Sequence, residues 1–216
     1  MKEADPIETV GIATPRQARS RESSARVINA TVELLIEKGP RGVTIADVSK
    51  RAGVSVGSIY ARFGNRSALL RAAHEEELRR VTEGMLDALA ALDLHADESE
   101  AIHEVVAAYV KEMRKEARVI KALVALGTDD KFIADSGPAA SLRIRDAVLG
   151  ALREATGPSP VEDDHWGHWV FEVMFALTLQ HIEPEHFGPL TTDEAAFILN
   201  LGDTIVALAT PPPGAA

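Results

Sequence analysis

The sequence of 216 residues contains no cysteine. That excludes a disulfide scaffold, a Cys-ligated zinc site, an iron–sulfur cluster and a cysteine nucleophile. Aromatic residues are only 5% of a chain that is 46% hydrophobic, so any core must be mostly aliphatic. No apolar run approaches the ~20 residues of a membrane helix. The N-terminal stretch, interrupted by Asp5 and Glu8, does not read as a secretory signal. These absences predict a cytoplasmic protein with no membrane partner. Strand signals are scarce too: no period-two run persists, and no Asn-Gly or Asp-Gly turn occurs. Basic charge is in deficit, with 23 Lys and Arg against 33 Asp and Glu and a formal net charge of −10. On its face that balance argues against nucleic acid as a partner.

The deficit is not uniform. Residues 16–72 hold eleven basic and four acidic side chains, a net of +7, whereas residues 73–216 carry a net of −15. A basic block joined to an acidic remainder suggests a polyanion-binding module on a different body.

Helical periodicity is what the chain has in quantity. Val27, Ala30, Thr31, Leu34 and Leu35 form an i, i+3, i+4, i+7, i+8 face, stopped by Gly39-Pro40. Thr44 caps a short helix ending near Gly53, and Ser55 caps another that runs to about Phe63. A long helix starts at Asn65 or Ser67 and carries Leu69, Leu70, Ala73, Leu78, Val81, Met85, Leu89 and Leu92. Further helices are predicted at 98–116, 117–127, 139–155, 161–182 and 192–209, with Ser136-Gly137-Pro138 and residues 156–160 as breakers. The expected fold is all-α, with about nine helices. Residues 1–20 read as a flexible arm, 21–66 as a three-helix unit, 67–210 as a helical body and 211–216 as a disordered tail.

Residues 44–63 have the layout of a helix-turn-helix. Ala46, Val48 and Ala52 are expected on the packed side of the first helix, Gly53 permits the turn, and Val54 fills the space between the helices. The second helix starts with the small residues Val56, Gly57 and Ser58, while Ile59 and Phe63 point inward. A helix-turn-helix lays its second helix in the major groove with N-terminal residues on base edges, and helix N-termini favour phosphate.

The stretch from Ala25 to Leu70 resembles the DNA-binding domain of the TetR family of transcriptional regulators. The likeness runs through Glu33-Leu34-Leu35-Ile36-Glu37-Lys38-Gly39, Val43-Thr44-Ile45-Ala46-Asp47-Val48, Ala52-Gly53-Val54-Ser55, Gly57-Ser58-Ile59-Tyr60, Phe63 and Asn65-Arg66-Ser67-Ala68-Leu69-Leu70. It departs at Pro40, Ser49, Val56, Arg62 and Gly64. The resemblance implies that Thr44, Tyr60 and Arg66 clamp phosphates, that Ser55 caps the reading helix at the DNA, and that Val56, Gly57, Ser58 and Ala61 face bases. Arg62 can serve either role. Val56 and Ala61 offer methyl contacts suited to thymine. The competing reading of Tyr60 is a core aromatic with its hydroxyl at the surface, and Arg16, Arg19 and Arg21 either reach a minor groove or only raise the local potential.

The expected function is a sequence-specific regulator, a repressor released from a palindromic double-stranded operator by a small-molecule effector. Reading two half-sites calls for a homodimer. Its interface is expected from Trp166, Trp169, Val170, Val173, Met174 and Leu177 on one helix, and from Phe197, Ile198, Leu201, Ile205 and Leu208 on the next. An effector pocket is expected from Met85, Leu89, Tyr109, Met113, Leu123, Leu126, Phe132 and Phe175. Gly127–Asp130 and Asp135–Pro138 are expected to flank a mobile segment at its mouth. No cofactor is implied and no catalytic constellation is visible. The alternatives are a small α-helical metal-dependent enzyme built on His165 and His168, which stand i, i+3 near Glu162 and Glu172, or a DNA-binding protein without effector control.

Overall fold

The computed structural model describes residues 15–94, 97–156, 164–182 and 192–209. Expectations for the first fourteen residues, the tail from 210 and the side chains of Phe132, His165 and Trp166 lie outside the described residues. The described residues are helical throughout, with no strand. The helices are α1 (Pro15–Gly42), α2 (Ile45–Ala52), α3 (Val56–Phe63), α4 (Arg66–Ala90), α5 (Glu98–Lys115), α6 (Ala117–Asp129), α7 (Lys131–Thr156), α8 (Asp164–Ile182) and α9 (Glu194–Ala209). The chain forms two compact units that divide between Ala73 and His74, within α4.

In the first unit, the predicted stripe of α1 is its buried face: Val27, Ala30, Thr31, Leu34 and Leu35 are all nearly inaccessible. The Thr31 hydroxyl is spent on its own helix, donating to the Val27 carbonyl at 2.7 Å. Helix α1 begins at Pro15, so residues 15–20 are helical rather than part of an arm. At its other end, Gly39 leaves helical geometry at φ 68°, a kink only glycine adopts cheaply, and one more turn follows to Gly42. Gly39-Pro40 therefore bends the helix where the sequence predicted a stop. Val43, Val48 and Ile59 close the core from the two short helices. Ala46 is exposed, contrary to expectation, and Ile45 takes its place inside, because the buried arc of α2 runs Ile45, Val48, Ala52.

In the second unit, α5 is the central element, with Ala101, Ile102, Val105, Val106, Tyr109, Val110 and Met113 all buried. Val148 and Leu152 of α7, Val170 and Met174 of α8, and Leu201 and Ile205 of α9 pack into the same core. Helix α7 runs straight through Ser136-Gly137-Pro138, which the sequence marked as a breaker. Proline inside a helix loses one backbone bond and costs about 3 kcal/mol. Burial of Ile133 and Ala140 on either side of it offsets that cost. Gly127–Asp130 and Asp135–Pro138 are likewise the end of α6, one linking residue and the start of α7, not a loop pair.

A charged cluster ties α4 to α5. Arg80 makes a two-pronged bond to Glu116, at 3.0 and 2.6 Å, and a third bond to Glu77 at 2.8 Å. Among the described residues no helix is long and apolar enough to cross a membrane.

Candidate nucleic-acid interface and ligand cavity

The helix-turn-helix is built by reciprocal caps. Thr44 Oγ1 accepts from the Asp47 amide at 3.1 Å and donates to the Asp47 carboxylate at 3.0 Å. Lys38 reaches the same carboxylate at 3.1 Å, and this pairing with Lys38 first, then Thr44, holds Asp47 below its ordinary pKa. Gly53 takes the left-handed conformation, φ 64°, that the turn demands. Ser55 then accepts from the Ser58 amide at 3.2 Å, and the two hydroxyls lie 2.8 Å apart.

The result is a reading helix, α3, buried on one side only. Ile59 is 1% exposed and Phe63 half-buried, while Ser55, Val56, Gly57, Ser58, Tyr60, Ala61 and Arg62 all face solvent, as does Thr44. Tyr60 is 48% exposed, which sets aside the reading of it as a core aromatic. An exposed first turn of small side chains lets backbone N–H groups approach an anion closely.

Two arginines are not placed as the sequence suggested. Arg66 is half-buried; its Nε donates to the Val43 carbonyl at 2.7 Å and its Nη2 to the Pro40 carbonyl. It holds the kinked end of α1 rather than projecting outward. Arg62 donates to the Ser20 carbonyl, to the Ser20 hydroxyl at 2.5 Å and to the Ser24 hydroxyl, which clips the start of α1 beside α3. Sequence reasoning also missed Arg26, which donates to the Ala52 carbonyl at 3.3 Å. These acceptors are main-chain or serine oxygens with no sequence signature. Arg51, by contrast, is a structural cation paired to Glu37 at 2.7 and 2.8 Å.

The second unit holds a cavity of about 350 Å³ between α4, α6, α7 and α8. Of the residues expected to line it, Met113, Leu123 and Phe175 do. Met85, Leu89 and Tyr109 instead belong to the packed core, because α5 fills the space between them and the cavity. Tyr109 is buried edge-on against Phe171, its phenol pKa pushed up by burial, and its hydroxyl has no hydrogen-bond partner among the described residues. Leu126 is buried without reaching the cavity. The wall is completed by His74, Leu78 and Val81 of α4, Ile120 and Val124 of α6, and Ile133, Ala140, Ser141 and Ile144 of α7. A polar His74 on the otherwise apolar Leu78–Val81 stripe was the sequence signal for it.

The expected interface helices are apolar around their whole girth. Val170, Met174, Leu201 and Ile205 are buried in their own chain's core, so they are not free for a partner. Phe197 stacks on His181 at 4.0 Å, and burial followed by Arg114 lowers the pKa of that histidine. What remains outward on α8 is Trp169 at 50% and Leu177 at 39% exposure, with Val173 between them, and on α9 Leu199 at 56%. Ile198 and Leu208 are half-buried. His168 is exposed; its intended partner His165 lies outside the described side chains.

Comparison with known proteins converges on this geometry. Residues 27–73 match the family described as bacterial regulatory proteins, tetR family. An uncharacterized HTH-type transcriptional regulator of Mycobacterium tuberculosis is 36% identical over 72 residues, covering 33% of this chain and 37% of that protein. The chain thus spans little over a third of the length of such relatives. A crystal structure of a Mesorhizobium loti protein assigned to the TetR-family transcriptional regulators superposes with a TM-score of 0.72 at 14% identity, over 88% of this chain and 96% of that one. The multidrug binding protein EbrR, solved with imidazole, superposes with a TM-score of 0.58 at 19% identity, over 89% and 98%. Through its N-terminal helix-turn-helix domain and the helical fold that follows, this chain belongs to the TetR family.

Proposed function

We propose that the protein is a sequence-specific DNA-binding regulator, acting as a repressor that a small molecule releases from its operator. The observation that carries this reading is the outward face of α3, where Val56, Gly57, Ser58 and Ala61 are exposed beside Tyr60 on a net-positive unit. Those small side chains face bases; Thr44 and Tyr60 meet phosphates, with the N-terminus of α3 behind Ser55. Arg66 acts indirectly, by fixing the end of α1, and Arg62 by holding its start.

Two copies would read a palindromic operator in the cytoplasm, joined through the outward stripe Trp169, Val173 and Leu177 together with Leu199. The effector site is the cavity of the second unit. Helix α4 begins at Arg66 in the first unit and supplies His74, Leu78 and Val81 to that cavity. An occupant that favours one setting of α4 shifts the equilibrium between DNA-competent and released forms by its differential affinity alone. The test is binding of the purified protein to the DNA upstream of its own gene. Affinity should fall steeply with salt, as phosphate neutralisation requires. Salt-insensitive binding, or none, would remove the regulator reading.

A further inference from the structure

The cavity wall carries information about what enters it. At about 350 Å³ it is at the small end of ligand sites. Among its described lining residues there is no Lys, Arg, Asp or Glu, and the hydrogen-bonding side chains are His74 and Ser141. The surroundings of the imidazole are Leu78, Val81, Ile133 and Ile144, all aliphatic. We infer that the cavity takes an uncharged, mostly apolar small molecule with one hydrogen-bonding group that meets His74 or Ser141, and that it rejects ionic ligands. This deepens, and rests on, the reading of the cavity as the effector site.

The reason is desolvation. An ionised group brought into this space gives up its water and meets no opposite charge on the wall. His74 does not supply one: it is 4% exposed, and burial holds its imidazole below the ordinary value, so it is neutral near pH 7. Glu75 and Asp130, the carboxylates that act on His74, lie off the wall, where they repel an anion without touching a cation. A neutral imidazole still offers one donor and one acceptor position, and the Ser141 hydroxyl adds an adaptable partner. A single hydroxyl, amide or amine N–H on an aromatic or aliphatic frame matches that wall.

The test uses matched probes on the full-length protein without DNA. N-phenylnaphthylamine is uncharged with one N–H; anilinonaphthalene sulfonate is the same frame bearing an anion; naphthylmethylammonium and naphthalene complete the set. Fluorescence titration should show phenylnaphthylamine binding at least about tenfold tighter than the sulfonate, with the ammonium ion weaker than naphthalene. His74→Phe should weaken phenylnaphthylamine severalfold and leave naphthalene unchanged. Ile144→Trp should fill the cavity and abolish binding; Val124→Trp at the exposed rim serves where the first variant loses its helical circular dichroism. Sulfonate or ammonium binding as tight as that of the neutral probe, or binding untouched in a folded cavity-filling variant, overturns the inference. A second arm measures operator affinity with phenylnaphthylamine present. If the probe set shows the stated selectivity while DNA affinity does not move, the ligand class stands and the effector reading falls.

Discussion

Glu116 is 5% exposed, yet it carries a charge, and the reason is Arg80. The hydrogen bonds from Arg80, the largest influence, hold the Glu116 carboxyl below its ordinary value of 4.5 against the opposing effect of burial. A carboxylate with a depressed folded-state pKa stabilises fully above its unfolded value, and loses that contribution as pH falls through the folded value. Glu116→Gln should therefore cost about 1–2 kcal/mol near neutral pH, less than a fully buried pair because Arg80 is 44% exposed. The gap from wild type should narrow in urea melts near pH 3. Tyr109 presents the opposite case: its hydroxyl is buried with no partner among the described residues. Tyr109→Phe should leave stability equal or raise it by about 1 kcal/mol, and should not alter binding in the cavity, which its ring does not line. A loss of probe binding in that variant would return Tyr109 to the pocket.

Between elements, close approach and a few long side chains do the positioning. A Cβ on Gly202 would run into the His103 ring, so α5 and α9 meet at that glycine. His103 then bridges from the Ser99 carbonyl at 2.7 Å to Asp203 at 3.0 Å. Gly202→Ala should push the ring aside and lower stability by about 1–3 kcal/mol, read as a drop in thermal midpoint. In the first unit Arg62 is the corresponding clip. Arg62→Ala should raise amide hydrogen exchange over residues 20–24 while leaving the α2–α3 core protected, since Ile59 and Val48 do not depend on it. If Arg62 instead reads DNA directly, exchange at α1 will not change and sequence preference will.

At the scale of the molecule, two surfaces remain to be used. The outward apolar stripe of α8 is the expected seam between copies. Trp169→Glu with Leu177→Glu should shift the protein to monomer in sedimentation and weaken operator binding by more than about tenfold, without changing helix content. The other is charge: +7 on residues 16–72 against −15 on residues 73–216. An acidic body repels DNA and leaves the basic unit to set orientation. Replacing several surface acids of the second unit with amides should raise affinity for non-specific DNA, most of all at low salt.

The sequence by itself determined the helices and the reading head. The stripe of α1, the caps at Thr44 and Ser55 and the turn at Gly53 are local patterns, and local patterns act over one or two turns. The same rule failed where a neighbour outweighed local preference, as at Pro138, carried inside α7 by the burial of Ile133 and Ala140. Only the tertiary structure decided which apolar residues became core and which became wall or seam. Met85 and Met113 look alike in sequence, but only Met113 reaches the cavity. Trp169 and Val170 are neighbours, yet one is half-exposed and the other buried. Helix α8 is apolar on every side, so its periodicity names no inward face, and the packing of α5, α7 and α9 against it makes that choice. Arg62 and Arg66 follow the same logic, since their acceptors come into reach only once α1 has folded back beside them.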